Sequence, residues 1–189
     1  MCDMSSYDEL RQQYRPEHIK LLLVAESPPP SENIGGSRHF YRSAQPRRED
    51  RLFNNTIWAL YPAASEKTED ELQAEKESWL RRLQADGVYM IEALEISQAH
   101  KVEKKDRQAR IKEALPRLIE RVGELAEDDT RLVLVKSNVF VAAAEPLRAA
   151  GFTVLNTALV DYPGHYNQQA YKEKLSRLAR ESGWSPGKD

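Results

Sequence analysis

Four short apolar runs alternate along the chain with stretches whose apolar positions recur at helical spacing. Ser6 with Glu9 forms a capping-box signature, and Tyr7 to Tyr14 is predicted as a short helix closed by Pro16. Ile19 to Ala25 follows, too brief for a core helix and too continuous for a strand with one wet face, so it reads as a buried parallel strand. Pro28, Pro29 and Pro30 forbid regular pairing and open an irregular loop to about Arg48. Leu52, Phe53, Thr56, Ile57 and Leu60 give a helix ending at Pro62, and Thr68 with Glu71 caps another that stops at Gly87. Val88 to Leu94 is a second strand. Lys101 to Ala126 is charged and helical, with Pro116 marking either a kink or a new first turn. Leu132 to Val135 and Phe152 to Leu155 are the remaining strands, separated by a helix over Val139 to Ala150; a loop over Asn156 to Asn167 leads to an amphipathic helix from Gln168 to Glu181.

Strands separated throughout by helices require parallel crossovers, which are right-handed in nearly every case. The expected architecture is therefore α/β, a three-layer α/β/α sandwich with a four-stranded parallel sheet, in one domain over residues 1–189. Ligands of such sheets bind beyond the carboxyl ends of the strands. Strand one leads there to Glu26, Ser27, Arg38, His39, Phe40, Tyr41 and Arg42. Strand two leads to Glu95, His100 and Lys101, strand three to Lys136, Ser137 and Asn138, and strand four to Asp161, Tyr162, His165, Tyr166 and Asn167.

Composition narrows the chemistry. The 189 residues carry a formal charge of −2 and 40% apolar residues, which suits one hydrophobic core and argues against a generic nucleic-acid coat. No apolar stretch approaches the ~18 residues of a membrane span. The first fifteen residues lack the pattern of a signal peptide, so a soluble, cytoplasmic protein is expected. The single cysteine, Cys2, excludes an internal disulfide framework and any four-cysteine zinc or iron–sulfur site. Gly35 and Gly36 belong to neither a P-loop nor a dinucleotide fingerprint, and Ser27 lacks the glycines of a nucleophile elbow. His39, His100 and His165 share the edge without a metal-ligand spacing, so no metal is assigned. The loop after strand one interleaves Arg38, Arg42, Arg47, Arg48 and Arg51 with Phe40 and Tyr41. That pattern suits a ligand with phosphate and a flat ring; the alternative is a surface loop whose aromatics tuck into the domain.

The order of these motifs resembles the uracil-DNA glycosylase superfamily, in the branch whose first motif is Gly-Glu-Ala-Pro-Gly. The match is Ala25-Glu26-Ser27-Pro28-Pro29, then Phe40 within Arg38-His39-Phe40-Tyr41, then Val88 to Glu92, then Asp161-Tyr162-Pro163-Gly164-His165 in the place of a His-Pro-Ser/Ala/Gly second motif. The resemblance runs from about Ile19 to Leu178 and implies strand order 2-1-3-4. It further implies hydrolysis of the N-glycosidic bond of a modified or damaged base in DNA, with Glu26, Tyr162 and His165 catalytic. Phe40, Tyr41 and Glu92 would meet the base, and Arg38, Arg42, Lys101 and Lys136 the phosphates. The implied partner is DNA or a nucleotide-like ligand, with no cofactor and no membrane.

The departures are specific. Tyr162 replaces the second-motif histidine, with His165 close enough in the chain to substitute, and Glu92 replaces a base-reading Asn. Glu26 could orient water and stabilise a cation-like sugar; otherwise it caps a nearby helix or pairs with an arginine of its own loop. Two further readings stay open: a noncatalytic relative binding a nucleic acid, a nucleotide or a protein through the same edge, and an unrelated doubly wound domain.

Overall fold

The computed structural model describes residues 4–29, 39–43, 50–96 and 103–187. Its elements in chain order are α1 (Met4–Gln12), β1 (Leu21–Ala25), α2 (Arg51–Leu60), α3 (Glu69–Ala74), α4 (Lys76–Ala85), β2 (Val88–Glu92), α5 (Lys104–Leu125), β3 (Arg131–Leu134), α6 (Ser137–Ala149), β4 (Thr153–Val154) and α7 (Gln168–Glu181). The four strands form one parallel sheet in the order β2-β1-β3-β4, as expected. Register sets Leu22 beside Tyr89 on one side and Leu132 on the other. Every residue of β1 and β2 is buried, which is why these strands read as continuous apolar runs rather than alternating ones.

Two local features depart from the sequence reading, and a third, at Pro116, decides between its alternatives. The helix expected from Thr68 to Gly87 is two helices, breaking at Glu75, whose φ of −99° and ψ of 11° are not helical. Pro116 lies inside an undivided α5, so it does not begin a new helix, and α6 is the single helix expected there, with Pro146 inside it. The fourth strand is two residues long because a side chain takes over its pairing: Asn156 Oδ1 accepts from Leu134 N at 3.0 Å, and Asn156 Nδ2 donates to Leu134 O at 3.1 Å. Beyond it, Val135 pairs with Val160, and Lys136 N donates to Val160 O at 2.7 Å. The sheet is thereby extended to the point where α6 begins.

Gly87 makes the α4-to-β2 turn at φ 77°, and its carbonyl accepts from Lys20 N and Leu21 N. A Cβ there would sit 2.9 Å from His18 O, so both conformation and close approach require glycine. Edge strand β2 is covered by Tyr41, whose hydroxyl accepts from Met90 N at 2.6 Å and donates to Met90 O at 3.1 Å. Beneath the same segment, buried Lys76 donates to His39 O and, at 2.5 Å, to Asp50 Oδ2; Asp50 also caps α2 through Phe53 N. Residues 39–43 are thus tied to β2 and α4 by satisfied polar groups. Among the described residues, no helix is long and apolar enough to cross a membrane.

Candidate functional site

Glu26 is the first residue beyond β1, one of the two central strands, and its side chain is 4% exposed. Three donors reach it. Arg107, near the start of α5, donates to Oε1 at 2.7 Å; Asn138, in the first turn of α6, donates to Oε2 at 2.8 Å; Lys136 Nζ lies 3.0 Å from Oε1. Burial alone would push this carboxyl up, but the hydrogen bonds from Asn138 and Arg107 together with the Lys136 charge hold it below the usual carboxylate range. Glu26 is therefore an ionised carboxylate held by two cations and an amide.

Lys136 owes its position to an abrupt strand-to-helix turn. Its φ of 83° and ψ of 140° make it the non-glycine residue with positive φ among the described residues. Such a backbone costs on the order of 1–3 kcal/mol. The turn occupies a single residue because Val135 is still bridged to Val160 while Ser137 already begins α6. With a third of its side chain exposed, Lys136 presents an ammonium to solvent from the rim of the Glu26 cluster.

A second buried cluster surrounds Glu92, at the end of β2. Arg11 Nη1 donates to its carboxylate at 2.5 Å, and Arg121 Nη1 donates to its backbone carbonyl at 2.9 Å. Burial pushes the Glu92 carboxyl up against the pull of Arg11 and Arg121. His39 lies with Nε2 3.7 Å from Glu92 Oε1, its ring 4.9 Å from that of Tyr7. Burial, then the charges of Arg11, Lys76 and Arg42, lower its imidazole to about 3, so the ring is neutral. Neither ring nitrogen has a hydrogen-bond partner among the described residues.

These placements correct several expected roles. Phe40 is 4% exposed, with its ring edge-on to Phe53 at 5.6 Å and to Tyr41 at 5.1 Å, which leaves no face for a base. Tyr41 spends its hydroxyl on Met90. For these two aromatics the tucked-in alternative holds: a ring gains more from a closed core than from water. Glu92 is engaged by Arg11 and closed to a base edge. Tyr162 and His165 are exposed, Tyr162 by 42%; the Tyr162 carbonyl accepts from Gly164 N in a tight turn. His165 has its ring contact with Tyr166, at 6.4 Å, and no hydrogen-bond partner among the described residues. Arg42 is half-buried beside His39. Arg38, Lys101 and His100 lie outside the described residues.

Of the ten residues expected at the site, the structure thus joins Glu26 directly to Lys136. Arg107, Asn138 and Arg11 complete the clusters without having been selected from the sequence. Asn138 was within reach, two residues past Lys136 on the predicted edge. Arg107 and Arg11 are two among 28 Lys and Arg, with nothing local to mark them. Among the described residues, no group of three or more His, Cys, Asp or Glu side chains could hold a metal ion. The chain matches no family model, no curated protein and no solved structure.

Proposed function

We propose that this chain is a divergent uracil-DNA glycosylase-like domain that binds nucleic acid at the carboxyl edge of its sheet and hydrolyses the N-glycosidic bond of a modified base there. The observation that carries this reading is Glu26: a buried carboxylate, kept ionised by Arg107, Asn138 and Lys136, at the carboxyl end of a central strand. A carboxyl held below its usual range is a poor proton acceptor, so Glu26 acts by charge and orientation. It positions a water and stabilises the cation-like sugar that forms as the bond to the base breaks. Lys136, partly exposed beside it, meets the negative charge on the departing base or a flanking phosphate.

The test is single-turnover base release, alongside equilibrium binding, on oligonucleotides carrying a panel of damaged bases. Glu26→Gln keeps the shape while removing the charge and one of the two acceptor oxygens, so release should fall by at least about 10²–10³, with a much smaller change in affinity. A second reading is favoured by the enclosure of Phe40: with the expected stacking ring closed to a base, the same edge would serve a noncatalytic module that binds a nucleic acid, a nucleotide or a protein. Wild-type protein that binds these oligonucleotides and releases no base from any of them establishes that reading.

A further inference from the structure

A groove of about 790 Å³ runs between α2 and α7, lined by residues that the Glu26 and Glu92 clusters do not use. Its lining carries Lys67, Lys172, Lys174, Arg177 and Arg180 with Glu173, and Trp58 stands in its wall; Lys67 is already paired with Glu75 at 2.8 Å, so the cations available to a ligand are those of α7. Four of the five cations come from α7, and all five are at least partly exposed. An overall charge of −2 makes this concentration of positive charge local, not a reflection of composition.

The groove is also built firmly. Below it, Thr56 and Tyr171 share a buried hydrogen bond of 2.8 Å that fixes α2 against α7, and Thr56 Oγ1 donates to Leu52 O. Trp58 Nε1 donates to Lys67 O at 3.0 Å, which anchors the indole at one edge while its ring stays partly exposed. Lys172 Nζ lies 5.3 Å from the centre of that ring and has no carboxylate partner among the described residues. Arg177 faces Glu181 only at 3.9 Å, and Arg180 spends its Nε on the Ser176 carbonyl. Lys174 reaches back to Leu159 O at 2.7 Å and to Asp161 at 3.7 Å, which joins the groove to the segment leading into Tyr162.

We infer that this groove is a phosphate-tracking site for a single-stranded nucleic acid. Cations spread along a helix neutralise successive phosphates, and an anchored aromatic ring among them offers a base a stacking surface once the lysine over it moves to a phosphate. An unpaired strand fits better than a duplex, whose bases stay stacked on one another and cannot turn toward a ring in a groove wall. An acidic polypeptide would satisfy the charges and leave the ring without a flat partner. The site is independent of the role given to Glu26, since binding in the groove requires no bond to break.

The experiment measures fluorescence anisotropy of labelled oligo-dT and oligo-U over a range of salt concentrations, with no base-release readout. Lys172→Gln, Arg177→Gln and Arg180→Gln combined should weaken binding at least about tenfold and reduce the slope of log K against log salt by about 2, as expected for three lost phosphate contacts on a single strand. Trp58→Leu should weaken it about 5- to 150-fold at an almost unchanged slope. Oligonucleotide should also quench indole emission in the wild type and not in Trp58→Leu, a readout independent of the charge variants. Circular dichroism spectra and melting curves confirm that each variant is folded. Unchanged affinity and slope in the triple variant overturn the proposal, as does polyglutamate competing as well as the oligonucleotide. Preference between oligo-dT and oligo-U identifies the polymer the groove takes.

Discussion

Arg11 and Glu92, 81 residues apart in the chain, form a buried ion pair with an Nη1 to Oε2 distance of 2.5 Å, and their side chains are 6% and 5% exposed. The pair fastens α1 to the end of edge strand β2. It also places two charges beside neutral His39, Glu92 Oε1 at 3.7 Å from Nε2 and the Arg11 cation, which acts there with Lys76 and Arg42. Arg11→Ala would leave the Glu92 carboxylate buried with its nearest cation gone, and should cost about 3–5 kcal/mol. Replacing both partners, Arg11→Met with Glu92→Leu, should cost far less, because neither charge is then left buried alone. Urea denaturation of wild type, single and double variants checks this; equal losses in both variants would mean that the pair itself holds α1 in place.

Glu26 should show itself in acid. Its folded pKa lies below the ordinary range, so its stabilising contribution is complete above the unfolded-state value near 4.3 and fades as pH falls through the folded value. Wild type should therefore exceed Glu26→Gln in melting temperature at pH 7, with the gap closing as pH drops below the usual carboxylate range. A gap that is constant down to pH 2–3 would mean that the Arg107 and Lys136 pairs contribute nothing that depends on ionisation.

The sheet was legible in the sequence because each of its strands is an apolar run bounded by turn or helix signals, and parallel order follows from the crossovers. Glu26 and Lys136 were legible for the same reason: they are the first polar residues after β1 and β3. The partners of Glu26 were not. Arg107 is charged like most of α5 and gains its role only through the packing of that helix, and Asn138 gains its own through the one-residue turn at Lys136. Phe40 shows the converse failure. An aromatic among arginines reads equally as a stacking platform or as a core residue, and only the position of Phe53 decides between them. Glu92 looked like a residue facing a ligand because its partner lies in α1, beyond the reach of any local pattern.

His18 behaves oppositely to Glu26. Its ring nitrogens lie 2.9 Å from Glu127 and 3.0 Å from Asp129, and hydrogen bonds to Asp129 and then Glu127 raise its pKa above the usual histidine value. A raised pKa means that its contribution is fully present below the unfolded-state value near 6.5 and is lost as pH rises through the folded value. His18→Gln should lower the melting temperature at pH 5.5 and leave it nearly unchanged at pH 9. The proton resonances of the His18 ring, titrated by NMR, should give a midpoint above 6.5. A midpoint at or below that value would show that the two carboxylates do not hold the proton in solution.

Lys136 combines two opposing contributions that substitution can separate. Its side chain stabilises Glu26 at 3.0 Å, whereas its backbone at φ 83° is strained for any residue with a Cβ. Lys136→Ala loses the ion pair and keeps the strain; Lys136→Gly loses the ion pair and relieves the strain. Gly should therefore be more stable than Ala here by about 1–2 kcal/mol, the reverse of the order expected in a helix interior, where glycine costs about 1 kcal/mol. Wild type compared with Lys136→Gly does not separate the two effects, so the Ala–Gly difference is the informative one, measured by denaturant midpoints at constant m-value. If Ala equals or exceeds Gly, the turn relaxes without cost, and the strain at the rim of the Glu26 cluster is not held by the fold. If Gly is favoured, the fold is spending stability at this one position to keep an ammonium 3.0 Å from a buried carboxylate, as expected where a charged pair serves a ligand.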